Sequence, residues 1–220
     1  MFTLFTDRFG GVSASPYDYL NVGDHVGDNP DHVAANRSSL IARVGPTLFM
    51  NQVHGDKFHV VHSADEQIPT CDALITTTPA INLAVQVADC IPLLIHGDSV
   101  VAAVHVGRKG LVNDIAIKVL DEMNRLGGKN FSAWIGPHIC GSCYEVSQGV
   151  FDEVTSKYPE SRSQTTKGTH ALDIARPLRE ILEQHGVTVN DSKICTVESL
   201  DHFSYRRDGI TGRTVGVIAL

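Results

Sequence analysis

The sequence predicts an α+β fold, a single-domain sandwich of mixed β-sheets with flanking helices over residues 1–220. Three observations point there. Apolar runs of strand length outnumber stretches with helical periodicity. Those runs come in groups with helices between them, unlike the regular winding of a βαβ protein. One pair, 91–95 and 100–104, is joined by only four residues, "HGDS", too few for a parallel crossover.

In chain order, Asn29–Pro30 reads as an N-cap followed by proline at the first helical position, and the helix runs to a stop at Gly45. Strands are expected at 58–62 (FHVVH), 72–76 (DALIT) and 82–87 (NLAVQV), then in the 91–104 hairpin. A second helix follows Leu111, with Ile115, Val119, Leu120, Met123 and Leu126 on one face and Gly127–Gly128 at its end. A strand at 131–135 and a short helix over Gln148–Lys157 come next. The last helix begins at Asp173, keeps Pro177 in its first turn, buries Ile174, Leu178, Ile181 and Leu182, and stops at Gly186. Strands at 193–197 and 213–218 complete the set.

Composition narrows the function classes. A net charge of −7 carries no footprint for nucleic acid, and no basic run suggests a membrane surface. No stretch approaches the ~18 apolar residues of a membrane span, and the opening "MFTLFTDRFGG" is not a signal peptide. Five cysteines, an odd and sparse set, read as reduced thiols in a cytoplasmic protein. Eleven histidines hint at metal or acid–base chemistry.

The hairpin sharpens that hint. With "HGDS" as the loop, Ile95 pairs with Val100 and Ile91 with Val104, so the next pair outward is Cys90 with His105. Directly opposed residues share a face with Cβ atoms about 4.5–5.5 Å apart, close enough to share one zinc ion. A one-residue slip would put them on opposite faces. Pro92 fits only if its missing N–H faces away from the partner strand or lies at the strand start. His54, in "NQVHG", is the leading candidate for a third ligand, with His59 and His62 as alternatives. Two histidines and a cysteine leave one position open, the pattern of a catalytic zinc. The same proximity would also suit a hydrolase with Cys90 as nucleophile and His105 as its base.

Other motifs rank lower. "CGSC" (140–143) is a C-x-x-C, readable as a redox pair or half a zinc knuckle, but "GSCYEV" is a poor helix start for a redox motif. The zinc deaminase signature, the Walker A loop and the dinucleotide fingerprint are absent. "FSYRRDGITGR" (203–213) sets aromatics beside arginines, Arg206 among them, suited to phosphate or carboxylate and to base stacking. Arg37, in the first helix, is similarly open to either a surface or a binding role.

Taken together, "FTDRFGGVS", "LNVGDHVGDNPDHVAANR", "NQVHG", "CDALIT", "LAVQVADCIPLLI", "VAAVHVGRKGL", "IGPHICGSCYEV", "LDIARPLREILEQHGV" and "FSYRRDGITGR" resemble the laccase-domain family over nearly the whole chain. Its members have been called polyphenol oxidases, purine nucleoside phosphorylases and peptidoglycan-editing factors. The resemblance implies a zinc site at His54, Cys90 and His105, with copper less favoured because one such trio cannot make a multicopper centre. It implies phosphorolysis of adenosine, inosine and methylthioadenosine, together with adenosine deamination. Purine nucleoside and phosphate would be the partners, Arg37 a phosphate or substrate contact, and Gln52 and Arg206 further contacts. Asp89 or Glu145 would shuttle protons. Most relatives read HAGWRG where this chain reads "HVGRKG", so Arg108 and Lys109 replace a tryptophan and an arginine.

Overall fold

A computed structural model describes all residues, 1–220, as four layers. The strands are β1 (Phe2–Phe5), β2 (Thr47–Leu48), β3 (Phe58–Val61), β4 (Ala73–Thr76), β5 (Asn82–Val87), β6 (Ile91–Gly97), β7 (Val100–Val106), β8 (Ser132–Ile135), β9 (Arg162–Gln164), β10 (His170–Leu172), β11 (Thr188–Asp191) and β12 (Thr214–Ala219). The helices are α1 (Pro30–Val44), α2 (Arg108–Val112), α3 (Ile115–Arg125), α4 (Gln148–Lys157), α5 (Ala175–Gln184) and α6 (Tyr205–Asp208). A six-stranded sheet is ordered β11-β8-β6-β7-β4-β3 and a four-stranded sheet β1-β12-β5-β2, both with parallel and antiparallel neighbours. β9 and β10 form a separate antiparallel pair.

Strand alternation builds the layers. Leu94 of β6 and Val101 and Ala103 of β7 face Leu83, Val85 and Ile218 of the smaller sheet, forming a dry layer between the sheets. Their neighbours Leu93, Ile95, Ala102 and Val104 face the other way, under Ile115, Val119 and Met123 of α3 and Leu178 and Leu182 of α5. On the far side, Leu40 of α1 packs on Ala84, Val215 and Val217. β6 and β7 are buried on both faces almost throughout, which explains their unbroken apolar sequence.

The helix ends follow their punctuation. Asn29 caps α1 by accepting from the Asp31 amide at 2.9 Å, and Gly45 leaves the helix at φ 100°. Gly127 and Gly186, at φ 90° and 76°, follow α3 and α5. α5 starts at Ala175, two residues later than expected, with the Asp173 carboxylate accepting from the Arg176 amide at 3.1 Å. Ile181 is only half-buried.

Two further expectations are corrected. The hairpin turns on Asp98–Ser99 alone, with Gly97 paired to Val100 and Ile91 to Val106. Gly97 is a strand residue by its pairing with Val100, and the position takes glycine because a Cβ there would lie 2.7 Å from the Phe131 ring. Cys90 therefore stands opposite Gly107, and His105 opposite Pro92. The shift is two residues, an even number, so Cys90 and His105 keep a common face. The Pro92 carbonyl accepts from the Gly136 amide, so its missing N–H faces the β8 side, just past the end of that strand. The second correction is at 193–197, which is not a strand. Lys193 takes a left-handed φ of 55°, the Ser199 amide closes a turn on Cys195, and only an isolated bridge joins Cys195 to His138. The strand of this region is β11.

Candidate metal centre and cleft

His105 belongs to the inter-sheet face of β7, and Cys90 precedes β6 on the same face. As diagonal neighbours, their side chains converge only if nothing fills the space opposite Cys90. Gly107 leaves it empty: a Cβ there would stand 3.2 Å from the Cys90 sulfur, 3.4 Å from His54 Cδ2 and 4.0 Å from His105 Cε1. His54 arrives from the loop before β3. The strained position of that turn is His54 itself, at φ 58°, and not the glycine that follows it. One donor atom from each of His54, Cys90 and His105 lies within 4.8 Å of the others. The two imidazoles meet edge to face, with centroids 4.7 Å apart. His59 instead bonds Glu66 at 2.7 Å, and His62 is exposed.

Asp72, just before β4, organises the trio and was not among the expected site residues. Its fully buried carboxylate meets His105 Nδ1 at 2.8 Å and accepts from the amides of His54 at 2.9 Å and Gly55 at 2.6 Å. One acid thereby positions two of the three donors and aims His105 Nε2 at the cluster. The only hint in the sequence was an acid directly before a largely apolar strand, which reads equally well as a turn residue.

The electrostatics pair a thiolate with an imidazolium. Burial pushes the Cys90 thiol up, but His105 and His54, by charge and hydrogen bonding, outweigh it and bring the thiol down to about 6. Burial also opposes charge on His105, yet Cys90 and Asp72 hold its pKa up at about 9. Soft sulfur with two imidazole nitrogens, an oriented second partner and a cradle that a single Cβ would fill together fit a zinc ion.

The trio opens into a cleft of about 740 Å³. Arg108, Lys109, Arg206 and Arg213 line it, against one carboxylate, Asp89, so the cleft is cationic in an acidic protein. Asp89, at φ 93°, has both oxygens engaged, by the Thr196 hydroxyl and the Arg206 amide, each at 2.6 Å. Gln52 lines the cleft but clasps the Gln86 backbone through both ends of its amide, at 2.7 and 2.8 Å. Arg206 donates to the Glu145 carbonyl at 2.7 Å and lies over the Tyr144 ring. The Glu145 side chain is exposed and outside the lining. Arg37 also stands outside it, over the Phe49 ring, paired with Asp24 at 3.1 Å and bonded to the Val22 carbonyl, and it reaches the wall through Gln86 at 3.4 Å. Arg108 pairs with Glu153 of α4 at 2.6 Å, whereas Lys109 has no partner and is exposed.

A four-layered α/β/β/α sandwich carrying a His-Cys-His donor set at the end of its inter-sheet layer defines the class of protein. Residues 2–220 match the family model described as multi-copper polyphenol oxidoreductase laccase. The chain belongs to this laccase-like family. It is 42% identical to a purine nucleoside phosphorylase of Corynebacterium glutamicum, covering 99% of this chain and 93% of that one. A purine nucleoside phosphorylase of Streptomyces griseus is 43% identical, with 98% and 93% covered. A crystal structure of a Neisseria meningitidis protein superposes with a TM-score of 0.89 at 37% identity, covering 99% of this chain and 93% of that one.

Proposed function

We propose that this chain, working as one domain in a reducing compartment, is a zinc-dependent purine nucleoside phosphorylase with adenosine deaminase activity. Its substrates would be adenosine, inosine and methylthioadenosine, and His54, Cys90 and His105 would hold the ion. The observation that carries this reading is a donor trio opening into a cationic cleft, in a chain about 42% identical to proteins named for this reaction. Zinc is favoured over copper because the other cluster of metal-ligating side chains, Cys140, Cys143, Cys195 and Glu198, contains no histidine to extend a multicopper centre.

In phosphorolysis a phosphate oxygen bonds C1′ as the C1′–N9 bond breaks, and the electron pair leaves with the base, which takes a proton. Lys109, unpaired at the rim, and Arg206 would attract and orient phosphate. Burial raises the Tyr144 phenol, so it would serve as a hydrogen-bond donor to the departing base. Asp89 would act by holding α6, and with it Arg206, in place, a narrower role than proton shuttle. A bound zinc ion would supply Lewis acidity beside the reacting atoms. In deamination, water would replace the amine at C6 and release ammonia.

The test is to measure metal content and follow adenosine by chromatography with and without phosphate. Adenine with ribose 1-phosphate supports phosphorolysis, and inosine supports deamination. No turnover at full zinc occupancy refutes the nucleoside reading. A second reading, favoured by the Asp72–His105–Cys90 line and the lowered thiol, is a cysteine hydrolase. It predicts activity that survives chelation and is abolished by alkylating Cys90, whereas hydrolysis of muropeptide precursors would mark an editing factor of cell-wall synthesis.

A further inference from the structure

We propose that Cys140, Cys143, Cys195 and Glu198 form a second zinc site, separate from the cleft trio, that ties together two loops of the cleft wall. One donor atom from each of the four lies within 4.8 Å of the others. Around a tetrahedral ion with sulfur at about 2.3 Å, ligand atoms stand roughly 3.8 Å apart, so small adjustments would close the shell. All three cysteines are free thiols, and Cys195 is buried. An odd set of three sulfurs beside a carboxylate is a poor disulfide arrangement and a complete ligand set for a tetrahedral metal.

The backbone is already shaped around these groups. The first loop follows β8 and the second follows β11. They are zipped by the His138 amide on the Ile194 carbonyl at 3.1 Å and the Thr196 amide on the His138 carbonyl at 3.0 Å. The Cys140 amide points at the Cys195 sulfur at 3.4 Å, and the Cys143 sulfur lies 3.6 Å from Glu198 Oε1. Amides aimed at sulfur stabilise a thiolate. Three thiolates and a carboxylate on a divalent ion leave a net charge of −2. Arg207, itself paired with Asp208 at 2.8 Å, fixes the second loop by donating to the carbonyls of Thr196 at 2.7 Å, Ser199 at 2.9 Å and His202 at 2.8 Å.

The site would set the shape of the cleft from outside it. Ile139 and Tyr144, on either side of the C-x-x-C, line the cleft, as do Tyr205 and Arg206 a short way past Glu198. A shared ion would hold these two walls at a fixed separation.

Cobalt loading of the wild-type protein provides the first test, because thiolate-to-cobalt absorption scales with the number of bound sulfurs. The cleft trio supplies one sulfur and the second site three, so full loading should give about four times the absorption of the cleft site alone. A signal worth one thiolate overturns the proposal. In a His54→Ala/Cys90→Ala background, loading with zinc chloride followed by gel filtration should leave one ion per chain in a sulfur-dominated X-ray absorption spectrum. Adding Cys143→Ser should remove the ion, and adding Glu198→Gln should weaken its retention at least ten-fold. The proposal fails if the background protein holds no zinc, if Cys143→Ser retains it, or if anaerobically isolated wild-type protein contains a Cys140–Cys143 disulfide.

Discussion

Replacing Asp72 with asparagine tests how much of the cleft trio rests on one carboxylate. Each oxygen serves two partners: Oδ1 meets His105 Nδ1 and the His54 amide, and Oδ2 takes the amides of Gly55 and, at 3.3 Å, Val53. The amide group of asparagine has one oxygen, so whichever way it is turned, its NH₂ confronts one of these pairs. A buried donor left without an acceptor costs about 1–3 kcal/mol, and half-exposed Gly55 and exposed Val53 recover part of this through water, so Asp72→Asn should lose about 2–4 kcal/mol of stability. Losing the group that orients a ligating histidine typically weakens metal binding by about 10–100-fold. Urea unfolding of the metal-free protein reads the first effect, and competition with a chromophoric chelator reads the second. An unchanged urea midpoint with zinc affinity within two-fold of wild type would refute the reasoning.

Other expectations follow from the same geometry. In metal-free protein, iodoacetamide should modify Cys90 at a rate that climbs through pH 6 and is flat from about 7 to 9, where an ordinary thiol with a pKa of about 8.5 is still gaining reactivity. A Cys90 rate still rising steeply at pH 8, read by peptide mass spectrometry, would contradict the thiolate–imidazolium pair. Leu94→Ala, at a fully buried position between the sheets, should cost about 2–5 kcal/mol in urea unfolding, whereas Leu200→Ala, at an exposed position, should cost almost nothing. The His59 hydrogen bond and the His62 amide pull the Glu66 carboxyl down to about 2. Because its folded pKa lies below the unfolded value, its stabilisation is present above about pH 4.5 and is lost as pH falls toward 2. Glu66→Gln should therefore flatten the acid limb of a pH–stability curve, and an unchanged limb would exclude the contribution.

The legible parts of the fold were those where local chemistry is decisive. Asn29, Pro30 and Gly45 mark α1 because capping and left-handed backbone are local properties. Gln148–Lys157 is helical as expected. The false strand at 193–197 shows the opposite case. Its apolar composition suits a sheet, but the turn at Cys195 and the left-handed Lys193 are set by the loop packed against it. β1 and β2 were missed because they are short and owe their extended form to β12 and β5. The hairpin register was two residues off, since Gly97 looks like a turn residue until the Phe131 ring beside it is known. The shared face of Cys90 and His105 survived because side-chain direction repeats every two residues. Asp72 stayed hidden because its partners come from sequence positions far apart. Arg37 shows the limit of a motif: its place in the helix was clear, but the Phe49 face that takes its guanidinium was not.

The tight turn at Asp98–Ser99 has a practical consequence. β6 runs seven residues, Ile91–Gly97, away from Cys90, and at about 3.3 Å per residue this puts the tip more than 20 Å from the sulfur. Both tip residues are exposed. A fluorophore or surface tether attached there would sit at the far pole of the molecule, leaving the mouth of the cleft open to solution.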